Sequence, residues 1–202
     1  MLRFRSAEAP FGHPQVAGQA ARLLAEAEAG GLWEPDRIIT SLTEAVFAEA
    51  LEMLAANDVV PQAQFQMPSY AAKGGADFAA WIRSLREILA ASPVPECELP
   101  KLDELFGIDR LAELVGVANS SLRRYLNAER SVPDDVAWRI HVVARLVGYL
   151  AGSYNDRGTR RWFERPRQQL DGRAPDEILA GIWGPDQSDV MQLLQLAEAR
   201  SG

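Results

Sequence analysis

Apolar residues recur at three- and four-residue spacings along most of this chain, a pattern typical of amphipathic helices. In the first half the pattern predicts helices from about Pro14 to Ala29, from about Pro35 to an end marked by Asn57-Asp58, and from Phe78 to Leu89. Asp77 is placed to cap the third of these helices. Residues 59–75 hold two prolines, two glycines and three glutamines without a helical repeat, which predicts a loop.

The second half is also helical, after a proline-rich break. Three prolines fall between Ser92 and Pro100 and predict a linker or domain boundary. Apolar spacing then predicts helices near 101–106, 108–115, 119–126, 133–151, 156–164, 175–182 and 186–199. Since no segment alternates convincingly between apolar and polar residues, the predicted fold class is all-α.

Composition and charge restrict the function. The 202 residues include 21 Lys plus Arg and 28 Asp plus Glu, a net charge of −7, which argues against nucleic-acid binding if the charge is evenly spread. The single cysteine, Cys97, cannot form an intramolecular disulfide, so we expect a cytoplasmic protein. No apolar run is long enough for a membrane span, and the N-terminus lacks the apolar core of a signal peptide.

Residues 108–127 carry the most specific signal. A helix-turn-helix needs a small residue in its first helix and a glycine four residues later at the turn, and Ala112 and Gly116 meet both demands. The positions that should hold the two helices together are all apolar or aromatic: Leu111, Val115, Val117, Leu122 and Tyr125. Asn119 or Ser120 is placed to cap the second helix.

The solvent side of that second helix predicts a DNA-reading surface. Its candidate residues are Asn119, Ser120, Ser121, Arg123, Arg124, Asn127 and Arg130. Short polar residues can approach base edges, and Arg can bind guanine or phosphate. The alternative is a helical hairpin whose arginines are only a solvated surface.

Local charge favours the DNA interpretation. Residues 101–173 contain 13 basic and 10 acidic residues, which leaves +3 there and −10 for the rest of the chain. Because this excess is small, we expect operator DNA to be bound by a homodimer on two half-sites. The helix predicted over 133–151 has two apolar stripes, so it lies either at the centre of its own domain or at a dimer interface.

A motif follows in the C-terminal part. The aromatic pair Trp162-Phe163 is followed by Pro166, Leu170, Gly172, Pro175 and Leu179, and then by an apolar helix. With the preceding helix-turn-helix, this combination resembles the Xre/MbcA/ParS-type antitoxins over about residues 100–200. The resemblance implies a helical, usually dimeric antitoxin of a bacterial type II system. Such an antitoxin represses its own operon and neutralises a RES-type toxin that consumes NAD.

By position, the resemblance implies a toxin-binding region from Arg160 to Leu170 and in the final helix. The candidate residues for the cognate toxin are Arg161, Trp162, Arg165, Arg167, Met191 and Leu194. Aromatic rings beside arginines are also typical of interaction hot spots, whereas aromatics at helical spacing are often core. The resemblance does not explain the N-terminal hundred residues.

The sequence predicts no catalytic, cofactor or metal site. It has no GxGxxG motif, P-loop or zinc-ligand spacing; His141 is interpreted as a core or interface histidine, and Cys97 lacks a paired histidine. The predicted division is a helical domain over 1–95, a helix-turn-helix module over 100–152 and a toxin-binding helical domain over 153–202. Two alternatives to the antitoxin are a stand-alone transcriptional regulator, whose N-terminal domain binds a small molecule, and a pure protein-interaction module.

Overall fold

The fold was examined in a computed structural model that describes residues 4–61 and 70–200. The all-α class is confirmed, and within these ranges the only sheet is a parallel pair, β1 (Ser6–Ala7) with β2 (Ser41–Leu42). The helices are α1 (Pro14–Ala29), α2 (Glu44–Ala56), α3 (Tyr70–Ala90), α4 (Pro95–Phe106), α5 (Ile108–Val115), α6 (Asn119–Leu126), α7 (Asp134–Ala151), α8 (Asp156–Glu164), α9 (Pro175–Ile178) and α10 (Ser188–Glu198). No helix in the described ranges is both long and apolar enough to cross a membrane.

Two hydrophobic cores organise these helices. The first lies among α1, α2 and α3, where the rings of Phe11, Phe47 and Phe78 are fully or almost fully buried and lie about 5–6 Å apart. The second is built by α4 to α10, with α7 at its centre. Phe106 of α4 packs edge-on against Phe163 of α8 in this second core.

Helix α7 is buried on both of its apolar stripes. The stripe that contains Val142, Leu146 and Tyr149 is closed off within the chain, because α7 packs against α1, α4 and α10. The backbones of α1 and α7 approach closely at Gly148, where a Cβ would lie 3.0 Å from Glu26 Cα. Of the two interpretations of this helix, the structure favours the central position, and Trp138 and Val147 are the members of the two stripes that stay half-buried.

Buried polar groups accompany this packing. Glu98 Oε1 lies 2.5 Å from His141 Nδ1, and the other ring nitrogen, Nε2, lies 3.0 Å from the carbonyl oxygen of Ala90. His141 is a buried core residue, as predicted, and its ring joins α3, α4 and α7. Nearby, the Arg86 guanidinium of α3 donates to Glu26 of α1.

Of the two interpretations of Ser92–Pro100, the linker is wrong from Pro95 onward, because α4 begins there, while the domain boundary stays a prediction. Proline is favoured in the first turn of a helix, where its missing N–H has no intrahelical acceptor. Pro100 lies inside α4 at a cost of about 3 kcal/mol, and the burial of Leu99 and Leu102 offsets that cost.

Three other helix bounds differ from prediction. Helix α2 begins at Glu44 rather than near Pro35, since Thr43 caps it and the preceding residues form β2. Helix α3 begins at Tyr70 rather than after Asp77, and residues 62–69 of the predicted loop lie outside the described residues. Helix α9 ends at Ile178, four residues earlier than predicted.

Candidate nucleic-acid interface

The turn between α5 and α6 depends on a glycine. Gly116 adopts the left-handed conformation, with φ at 66°, and its N–H donates to backbone carbonyls at the end of α5. A Cβ at this position would lie 2.0 Å from the carbonyl oxygen of Gly181. Glycine is therefore required here both by the backbone conformation and by the close approach of the segment after α9.

The inward faces of α5 and α6 are packed as the sequence predicts. Ala112 of α5 is buried against the same core as the positions predicted to join the two helices. Those positions are Leu111, Val115, Leu122 and Tyr125, all buried, and Val117, which is half-buried. The indole N–H of Trp183 also donates to the carbonyl of Leu114, 2.9 Å away, and ties the segment after α9 to the end of α5.

The outward face of α6 carries two free arginines. Arg123 and Arg124 are exposed, and neither makes an ion pair or side-chain hydrogen bond within residues 4–61 and 70–200. Arg130 lies beyond the end of α6 with its Cζ 5.9 Å from the centroid of the Tyr125 ring. Arg123 and Arg124 thus project from a helix whose other side is packed in the core, and Arg130 follows that helix.

The short polar residues of α6 are positioned differently from the prediction. Ala118 is the N-cap of α6 and no side chain caps the helix, so the predicted caps Asn119 and Ser120 are wrong. The Asn119 amide instead donates to Asp109, while Ser120 is exposed and Ser121 half-buried. The Asn119 side chain therefore binds the carboxylate of Asp109 instead of the backbone N–H groups at the start of α6.

Asn127 lies at the far end of the same face. Its amide donates to Glu129 Oε1 at 3.1 Å. Both asparagines predicted to approach base edges are thus engaged by exposed carboxylates, which would have to release them before a base could be bound. Asp109 and Glu129 also bring negative charge to the two ends of the α6 face.

The predicted toxin-binding residues divide into exposed and buried sets. Arg161 and Arg165 are exposed and Arg167 is half-buried, so these side chains are accessible to a partner. Trp162, at 2% exposed, and Leu194, at 6%, belong to the second core, and the prediction that they contact a partner is wrong. Met191, at 46% exposed, lies on the outer face of α10.

Arg167 has an unusual environment, which sequence spacing does not reveal. Its Cζ lies 4.5 Å from the centroid of the Trp162 indole, and its Nη2 donates to the Trp162 carbonyl oxygen at 3.2 Å. Burial, together with the positive charges of Arg200 and Arg165, lowers the pKa of Arg167, and Tyr154 partly opposes this shift. Nothing in the residue spacing indicated that the guanidinium would stack on a buried ring.

The thiol of Cys97 lies in an environment that disfavours its reactive form. The Cys97 thiol is half-buried, its Sγ lies 3.4 Å from Asn57 Oδ1, and burial raises its pKa, which disfavours the nucleophilic thiolate. Within residues 4–61 and 70–200 no group of three His, Cys, Asp or Glu side chains is arranged to hold a metal ion.

No family model, curated protein or solved structure matches the chain. The resemblance to Xre/MbcA/ParS-type antitoxins therefore rests on the motif residues alone and stays a prediction.

Proposed function

We propose that this protein is a DNA-binding, antitoxin-like regulator that places α6 in the major groove of its own operator. The observation that carries the proposal is the pair Arg123 and Arg124, exposed and without ion pairs in the described ranges, on a helix anchored by its other face. A guanidinium without a carboxylate partner keeps its donors available for guanine or phosphate. An exposed helix with two unpaired arginines supports a DNA-reading role, as the recognition helices of helix-turn-helix proteins bind DNA in this way.

Binding of a DNA duplex from the region upstream of the gene, followed by fluorescence anisotropy over a salt series, tests this role. In the double variant Arg123→Ala/Arg124→Ala we expect binding to weaken by about 1–3 kcal/mol for each base contact, or the salt slope to fall by about one for each phosphate contact. Arg83→Ala is the matched control, because Arg83 is also exposed and without an ion pair among the described residues but lies on α3. Unchanged affinity and salt slope in the double variant would refute the assignment of α6.

Two copies of the chain are expected on the operator. Each chain contributes one α6 with two free arginines, so a single copy makes few phosphate contacts and binds weakly. Half-sites about one helical turn apart would then be occupied by a homodimer. Sedimentation of the protein alone and with the duplex measures the stoichiometry, and a one-to-one complex of high affinity would contradict this part.

The second half of the proposal is neutralisation of a cognate RES-type, NAD-consuming toxin by the C-terminal part. The motif that begins at Trp162-Phe163 supports it. Trp162 is buried and cannot contact a partner, but the side chains of Arg161 and Arg165 are exposed and can. Affinity purification from the native host, with identification of any co-purifying protein, is the test. A chain that purifies alone and is dispensable for growth would count against a toxin partner.

A pure protein-interaction module is the alternative without DNA. The observation that favours it is the negative charge at both ends of the α6 face, where Asp109 binds Asn119 and Glu129 binds Asn127. Retention of a protein partner with no binding of the upstream duplex, even at low salt, would select this alternative.

A stand-alone regulator that responds to a small molecule has its own structural support. A cavity of about 240 Å³ lies where the end of α1 meets α4, α7 and α8, and Glu28, Lys101, Tyr154 and Thr159 are among its lining residues. This volume suits a small polar molecule. A small molecule that changes affinity for the duplex, in a host that lacks a co-purifying toxin, would favour this regulator.

A further inference from the structure

The guanidinium of Arg167 is held in one orientation. It stacks on the Trp162 indole and donates through Nη2 to the Trp162 carbonyl oxygen, and Trp162 itself is fixed in the second core. Most of the entropy that a free arginine loses on binding a ligand has therefore already been lost on folding.

This fixed cation has no counter-charge among the described residues. Arg86, Arg110 and Arg139 each pair with a carboxylate, whereas Arg167 makes no ion pair in these ranges. The positive charges of Arg200 and Arg165 also act on Arg167, and the hydroxyl of Tyr154 opposes them only in part. A half-buried positive charge without a carboxylate partner is a local excess that an anion would relieve.

Only one nitrogen of the Arg167 guanidinium remains available to bind a ligand. Nη2 is used by the Trp162 carbonyl, and Nε is buried without an acceptor, as is the adjacent indole Nε1 of Trp162. Nη1 is neither hydrogen-bonded within the described chain nor enclosed. It is the donor that remains for an incoming oxygen atom.

We propose that Arg165, Arg167 and Arg200 form a site for the carboxylate groups of an acidic segment in a partner protein. This inference rests on the proposed partner-binding role of the C-terminal part, and it adds the chemistry of the partner. A pre-oriented guanidinium with one free donor suits a carboxylate oxygen, because hydrogen bonds between an ionised donor and an ionised acceptor are stronger than neutral ones. Met191 is exposed on the helix that packs against residues 168–170, and methionine is a residue type enriched at protein interfaces.

The test uses the full chain and a fluorescently labelled oligoglutamate peptide, with binding measured by anisotropy at low salt. We expect saturable binding that weakens by about tenfold in Arg167→Gln. Arg167→Lys keeps the charge but loses the stacking on Trp162 and the hydrogen bond to its carbonyl that orient the guanidinium, and it should weaken binding nearly as much. Arg83→Gln, which removes an exposed arginine of α3, is the matched control and should bind like the parent chain.

Two results would overturn the site: unchanged peptide binding in Arg167→Gln, or equal losses in Arg167→Gln and Arg83→Gln. Tighter binding of a DNA duplex than of the peptide, lost in Arg167→Gln, would overturn it as well and would assign the cluster to nucleic acid. If Arg167→Gln does not fold by circular dichroism, the exposed residues Arg165 and Arg200 are replaced by Gln instead, with the same expectations.

The peptide assay is independent of the operator and toxin experiments. The Arg123→Ala/Arg124→Ala variant should bind the peptide normally, because its substitutions lie on α6. A chain that binds the peptide but has no co-purifying toxin would leave this site intact and refute only the toxin partner.

Discussion

The buried pair Glu98 and His141 provides a sharp test of how this fold is held together. Both side chains are 2% exposed, and one proton is shared between Glu98 Oε1 and His141 Nδ1 while Nε2–H donates to the Ala90 carbonyl. His141→Leu leaves the Glu98 carboxyl buried without a partner, and a buried polar group that loses its hydrogen-bond partner typically costs about 1–3 kcal/mol. For a chain of this size that corresponds to a decrease in Tm of about 2–12 °C.

Urea unfolding followed by circular dichroism measures this loss. The double variant His141→Leu/Glu98→Leu removes the stranded carboxyl together with its partner, so we expect it to be clearly more stable than His141→Leu alone. Two outcomes would refute the reasoning: a loss below about 1 kcal/mol in the single variant, or a double variant as unstable as the sum of the two single ones.

The same pair predicts the direction of a pH dependence. Burial raises the pKa of Glu98 above its ordinary value of 4.5, and the hydrogen bond from His141 opposes the shift only in part. Because the folded state holds this proton more tightly than the unfolded state, the contribution is fully present below about pH 4.5 and is lost as the pH rises through the folded-state pKa. Glu98→Gln cannot lose the proton, so the stability of the parent chain relative to this variant should fall as the pH rises; a constant difference would contradict the shift.

Three further predictions use other contacts. Gly116→Ala should destabilise the chain by more than about 1 kcal/mol and weaken duplex binding, since its Cβ would strike the Gly181 carbonyl at a positive φ; normal stability would contradict this. Arg86→Leu should cost about 3–5 kcal/mol in urea unfolding, because Glu26 is left buried without its cation, and Arg83→Leu should cost much less. Cys97 should react slowly with a thiol reagent at pH 8 until urea unfolds the chain, and equal rates in both states would show that burial does not protect it.

The features that sequence predicted best are local ones. Helices α5 and α6 were placed correctly because apolar spacing and Gly116 specify both helices and the turn within about twenty residues. Periodicity alone does not say which apolar side chains remain exposed, so Trp162 and Leu194 were assigned to a partner although they lie in the core. The pair Glu98 and His141 joins residues far apart in the chain, and no local pattern indicates it.

The packing around helix α7 gives the N-terminal part of the chain a structural role. Its apolar stripes predict either a central helix or a dimer interface, and α1 packs on α7 at Gly148, so the chain itself covers part of the surface of α7. The first hundred residues, which the family resemblance leaves unexplained, thus supply part of the packing around the helix that follows α6. A homodimer on DNA must therefore use another surface, such as that around the exposed side chains of Ile38 or Ile182. Substituting each isoleucine with Asp and measuring sedimentation in the presence of the duplex would locate that contact, and an unchanged dimer in both variants would exclude these two positions.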